Sequence, residues 1–202
     1  MMHKKLPSHK NIFLILIAAA FAGFVIYLFA SQYYPVAFVN NSPISAGDFN
    51  QSYGISYNYY YNSIKAAGED VSILKSDDAI KELKRATLDA LVDQKLIDEE
   101  LQKRINPDDL NRMIRNKLSS IDFNSDNFKK GSLALYGSSV DSIKKFVLIP
   151  KEKEEILAGR LVLDNNPQFA DIDDWLKQKK SEAKVEILIS QLYWNNGEVA
   201  AR

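Results

Sequence analysis

Enzyme chemistry needs a base, a nucleophile or a metal-binding set, and this chain offers few candidates for any of them. Its two histidines, His3 and His9, lie beside the amino terminus. There is no cysteine, which excludes thiol nucleophiles, thiolate metal ligands and disulfides. Gly131, Gly137 and Gly159 stand alone rather than in a phosphate-cradling loop. The densest carboxylates, Asp171, Asp173 and Asp174, precede an expected helix, where they compensate the positive end of its dipole. Asp98, Glu99 and Glu100 fall mid-helix and read as a solvated face within pairing distance of Gln102 or Lys103. No motif marks out a Ser–Lys pair. These residues point to no catalytic group, no metal site and no cofactor. What the chain does offer is an aromatic run, Tyr53, Tyr57, Tyr59, Tyr60 and Tyr61. Such a run serves either as core with hydroxyls at the rim or as a surface that grips other chains at low entropic cost. Ile55 and Tyr59 point away from the core arc of Phe49, Tyr53, Tyr57, Tyr60 and Ile64, so exposure is expected for them. Ile55, Tyr59, Tyr60 and Tyr61 form the candidate peptide-contact set.

The segments that carry these residues read mostly as helices. Val36 to Val39 reads as a short strand closed by the turn Asn40-Asn41-Ser42-Pro43. Ser45 and Asp48 form a capping box opening a helix to about Ala67. Ser76 or Asp77 opens a longer helix from Asp77 to Ile105. One apolar stripe on it is Ile80, Leu83, Thr87, Leu91, Leu101 and Ile105; a second is Leu88, Val92 and Leu96. Two stripes mean packing on more than one side, so this is the expected central core element. Asn106 caps and Pro107 starts a helix to about Leu118. Shorter helices are expected around Phe128 to Tyr136 and after Ser139, the latter interrupted or kinked at Pro150. Asn165-Asn166-Pro167 is a break. A helix from Ile172 to Glu182 is followed by the alternation Ala183, Val185, Ile187, Ile189, a strand pattern; continuation of the helix to Tyr193 is the alternative. If a strand, it needs a partner, and Val36 to Val39 is the other good candidate. The expected result is an antiparallel pair joining the two ends of the domain.

Twenty-six basic residues balance 26 acidic ones, so no nucleic-acid partner is implied. Ile12 to Ala30 carries no charge and, apart from the Tyr27 hydroxyl, no polar side chain. Lys4, Lys5 and Lys10 precede it. The sequence therefore predicts a transmembrane signal anchor over 12–30, with residues 1–11 as a cytoplasmic basic tail. Residues 31–35 would be a linker, 36–193 an extracytoplasmic helical domain and 194–202 a carboxyl-terminal tail. The expected location is the cell membrane, single-pass, with the carboxyl-terminal domain outside. A cleaved signal peptide is the competing reading, disfavoured by the length of the apolar run.

The layout also resembles a known family. AFVNNSPISAGDF, Ala37 to Phe49, is similar to the VNG-x-x-I-(S/T)-x-x-(E/D)-F opening of the chaperone domains of SurA, PpiD and PrsA, with Asn41 where glycine is usual. LDALVDQKLIDEEL, Leu88 to Leu101, resembles the family's core helix. YGSSVDSIKKFVLIP, Tyr136 to Pro150, resembles the helix after it. DWLKQKKSEAKVEIL, Asp174 to Leu188, resembles the closing helix and strand that return to the first strand. The resemblance implies a mainly α chaperone scaffold with a short two-stranded antiparallel β pair. No gap is long enough for the relatives' parvulin prolyl isomerase domain, so the scaffold is expected to lack enzyme activity. The expected partners are unfolded or newly translocated polypeptides, the membrane through Ile12 to Ala30, and translocation machinery. The rival expectation is a non-catalytic adaptor that docks one partner of the secretion or envelope machinery.

Overall fold

In the computed structural model of the chain, residues 9–30, 32–164 and 171–202 are described. The elements run α1 (His9–Ala30), β1 (Pro35–Val39), β2 (Ser42–Ser45), α2 (Ala46–Ala66), a 3₁₀ turn (Val71–Lys75), α3 (Asp77–Arg104), α4 (Pro107–Leu118), α5 (Asp126–Tyr136) and α6 (Val140–Ile143). A π turn (Lys144–Leu148) follows, then α7 (Ile149–Leu163), α8 (Ile172–Glu182), β3 (Val185–Ile187), β4 (Leu192–Asn195) and β5 (Glu198–Ala201). The chain is mainly helical, as expected.

The membrane expectation is overturned. Among the described residues no helix is long and apolar enough to cross a membrane. The expected anchor over Ile12 to Ala30, the single-pass location and the membrane as a partner fall with it. The basic residues Lys4 and Lys5, His3 and the break at Asn165-Asn166-Pro167 lie outside the described residues.

Helix starts follow the capping chemistry. The backbone N–H of Asp48 donates to Ser45 Oγ at 3.0 Å, and that of Ala79 to Ser76 Oγ at 3.2 Å. Asp108 donates to Asn106 Oδ1 at 2.9 Å, just behind Pro107, and Ser142 to Ser139 Oγ at 3.2 Å. Each bond satisfies a donor that the first helical turn leaves unpaired. Pro150 neither ends nor breaks its helix. It has no N–H for the carbonyl four residues back, and the preceding turn widens to a π turn, in which Ile149 donates to the Lys144 carbonyl.

The sheet is larger than the expected pair. β1 does pair antiparallel with β3, Ala37 opposite Ile187 and Val39 opposite Val185. It also pairs with β2 on its other side, giving the order β2-β1-β3. The cause is the turn: Asn40 and Asn41 both have positive φ, 47° and 73°. Asparagine tolerates this left-handed region, and two such residues fold a tight hairpin that returns Ser42–Ser45 onto β1. The expected tail from residue 194 is likewise a hairpin. Asn196 and Gly197 take φ of 45° and 107°, and β4 and β5 pair around them.

α3 is the central helix. It lies against α2, α7, α8 and strands β1, β2 and β5, and Leu88, Val92 and Leu101 on it are fully buried. Trp175 from α8, Leu157 from α7, and Leu192 and Val199 from the hairpin complete the core. One side of α3 also ties down β5 through polar groups. Lys81 Nζ donates to the Arg202 carbonyl at 2.9 Å, Arg85 to the Val199 carbonyl at 3.2 Å, and Asp89 Oδ1 accepts from Val199 N–H at 3.1 Å. Lys180 of α8 reaches into the same place, 2.9 Å from Asp89 and 3.0 Å from Asp93.

Candidate functional site

Three helices leave apolar faces that α3 does not cover. The carboxyl-terminal half of α2, the length of α5, and α6 with the π turn enclose a groove of about 550 Å³. Phe128, Leu135, Tyr136, Ile143, Val147 and Leu148 form its apolar walls, and no charged side chain lines it. Ala66, Gly131, Ser132 and Ala134 keep it open by being small. A Cβ placed on Gly131 would meet nothing within 4 Å.

The walls are held by specific bonds. Asn62 Nδ2 donates to the Leu135 carbonyl at 3.0 Å, and Gln51 Nε2 donates to Ser142 Oγ at 2.8 Å. These fix α5 and α6 against α2. α5 ends at Gly137, whose φ is +61°, and an added Cβ there would sit 2.6 Å from Asn58 Nδ2. Glycine is required both for the left-handed cap and for the approach of α2.

The structure divides the four expected contact residues. Tyr59 is exposed, and its ring stacks on Tyr136 with centroids 5.6 Å apart and planes 17° from parallel. Tyr136 lines the groove, so Tyr59 extends its aromatic wall to the surface. Tyr60 is exposed and meets Tyr59 edge-on, contrary to its place on the expected core arc. Tyr61 is half-buried and ends a ladder of stacked rings, Phe49, Tyr53, Tyr57 and Tyr61, spaced one helical turn apart. Burial, and then the neighbouring Tyr57, raises the Tyr53 phenol above its ordinary value. Ile55 is a correction: expected at the surface, it is only 5% exposed. It shares a face of α2 with Gln51, Asn58 and Asn62, which meet Ser142, Gly137 and Leu135, so it supports the groove rather than lining it. The residues that sequence reasoning missed are Phe128, Leu135, Tyr136, Ile143, Val147 and Leu148. Their only signal was helical spacing in segments too short to say which face would be left uncovered.

The acidic residues are engaged in structure. Asp171 Oδ1 accepts from the Asp174 N–H at 2.9 Å, a helix cap as read from the sequence. The mid-helix acids are not a solvated face. Asp98 pairs with Lys153 of α7 at 2.7 Å, Glu99 accepts from Asn40 and Ser42 of the first hairpin, and Glu100 pairs with Arg104 at 2.5 Å.

A family model described as the SurA-like N-terminal domain matches residues 1–132, which takes in α1 to α4 and the first part of α5. No parvulin family model matches. No curated protein and no solved structure matches the chain.

Proposed function

The chain belongs to the SurA-like N-terminal domain family, a chaperone-like or adaptor family, and on that premise we propose that it holds unfolded polypeptides without transforming them. The observation that carries this reading is the uncharged groove between α2, α5 and the π turn. A cavity of about 150 Å³ accepts one benzene, so this groove has room for about three large apolar side chains. Each contributes roughly 1.5–3 kcal/mol on burial. Association costs at least about 4 kcal/mol, so capture of one segment is weak and readily reversed. Weak, exchangeable capture suits a holder: it covers sticky segments against aggregation and lets them go to fold. Tyr59 and Tyr60 add adaptable aromatic area at the groove mouth. No step in this reading makes or breaks a bond.

The test is aggregation suppression by the full chain, mixed at equal molar ratio with a chemically unfolded client. The key variant is Gly131→Glu. It projects a carboxylate into the groove from a site with free space, and it replaces a mid-helix glycine with a better helix former, so the fold is preserved. Protection by the parent chain and its loss in Gly131→Glu support the reading. Equal protection by both, or none by either, sinks it. Crosslinking from a photoreactive group at Ala134 separates holding from docking: many unfolded clients support holding, whereas one abundant folded partner means an adaptor.

A further inference from the structure

A second cavity lies on the other side of the π turn, and its chemistry differs from the groove's. It is a cleft of about 230 Å³ between the start of α2, α3 and α7. Leu91, Phe146 and Pro150 are among its apolar lining. By the benzene yardstick of about 150 Å³ it takes one large side chain and no more. Its rim is charged: Lys95, Lys145 and Lys153 against Asp48 and Asp98. Four of these five charges are already paired. Lys145 is 2.8 Å from Asp48, and Lys153 is 2.7 Å from Asp98. Burial opposes the Asp48 charge, but hydrogen bonds from Lys145 and Ser45 outweigh it and hold that carboxyl below its ordinary value. Lys95 makes no hydrogen bond or ion pair among the described residues; its charge acts on Asp48 only at a distance. The cleft therefore presents an apolar slot beside one ammonium with donors to spare.

We propose that this cleft binds a polypeptide segment in which a large apolar residue neighbours an aspartate or glutamate, the apolar side chain filling the slot and the carboxylate pairing with Lys95. Charge complementarity selects this occupant, because the rim carries one more cation than anion and that cation is the unpaired one. The inference rests on the reading that the protein holds polypeptides. It deepens that reading by giving the protein a sequence preference that the uncharged groove cannot supply.

The experiment measures anisotropy of short, end-capped fluorescent peptides with the full chain at low salt. One peptide carries aspartate next to phenylalanine. One control has asparagine in place of the aspartate, and the other has alanine in place of the phenylalanine. The expected result is that the first binds about tenfold more tightly than either control, with a margin that shrinks as salt rises. Lys95→Gln should erase the preference for aspartate over asparagine, and Lys95→Arg should keep it. Equal binding of the aspartate and asparagine peptides, or an unchanged preference in Lys95→Gln, overturns the proposal. Gly131→Glu separates the two readings: it alters the groove only, so it should abolish client protection and leave the peptide preference intact. If protection fails in the parent chain while the Lys95-dependent preference persists, the groove reading falls and the cleft stands.

Discussion

Removing the Lys180 ammonium tests whether a partly buried charge cluster fixes the carboxyl-terminal elements to α3. Lys180→Met keeps most of the aliphatic stem and deletes the charge. Asp89 and Asp93 are then left facing each other with no cation between them. Breaking a fully buried pair from one side costs about 3–5 kcal/mol. Here the three side chains keep 11%, 23% and 27% exposure, so water recovers part of that cost. Asp89 also retains the Val199 N–H. A loss of about 2–3 kcal/mol at neutral pH is expected. Urea unfolding followed by tryptophan fluorescence reads it directly, since Trp175 lies in α8 and Trp194 in β4. The second arm is pH. Burial raises the Asp93 carboxyl above its ordinary value despite Lys180. A carboxyl raised in the folded state binds its proton more readily there than in the unfolded chain. Its charge therefore costs stability at neutral pH, and that cost disappears as pH falls through the folded value toward 3.8. Loss of Lys180 must enlarge this effect, so the gap between variant and parent should narrow on acidification. Adding Asp93→Asn to Lys180→Met should recover about half of the loss at neutral pH. A loss under about 0.5 kcal/mol, the scale of an ordinary surface substitution, would mean that the cluster does not hold these elements to α3. So would a gap that stays constant from neutral to mildly acidic pH.

Gly131 in the groove and Gly137 at the end of α5 should respond in opposite directions. Gly131→Ala, mid-helix with open space, should stabilise by about 0.5–1 kcal/mol, whereas Gly137→Ala, with positive φ and Asn58 in the way, should destabilise by about 1–3 kcal/mol; thermal melts of both variants check the signs. Trp175→Ala empties the largest fully buried side chain and should cost about 3–5 kcal/mol in urea unfolding. Ile55→Ala and Tyr59→Ala should separate support from contact. The first lowers stability by about 2–4 kcal/mol; the second leaves stability nearly unchanged and weakens client protection. The reverse pattern would place the contact surface elsewhere on α2.

Features that depend on near neighbours are legible in the residues alone. Ser45, Ser76, Asn106 and Ser139 announced helix starts because a cap bond spans two or three residues, and all four caps form. The two apolar stripes of α3 announced a central helix, since only a helix covered on several sides carries both. The alternation at Val185 and Ile187 announced a strand, and the need to satisfy its backbone named Val36 to Val39 as partner. The Asn196-Gly197 turn is equally local, yet residues 194–202 are expected as a tail, and the hairpin there is a finding of the structure. The groove was not readable. Its walls come from residues near 62, 128–136 and 143–148, and each of those short segments has several apolar positions. Which of them face α3 and which face open space depends on how α2, α5 and the π turn dock. Ile55 shows this most clearly: helical periodicity put it on the outer side of α2, and α5 and α6 made that side an interior. Periodicity ranks the faces of one helix against each other, but a concavity is the space that several helices fail to fill, and only their packing together decides where it lies.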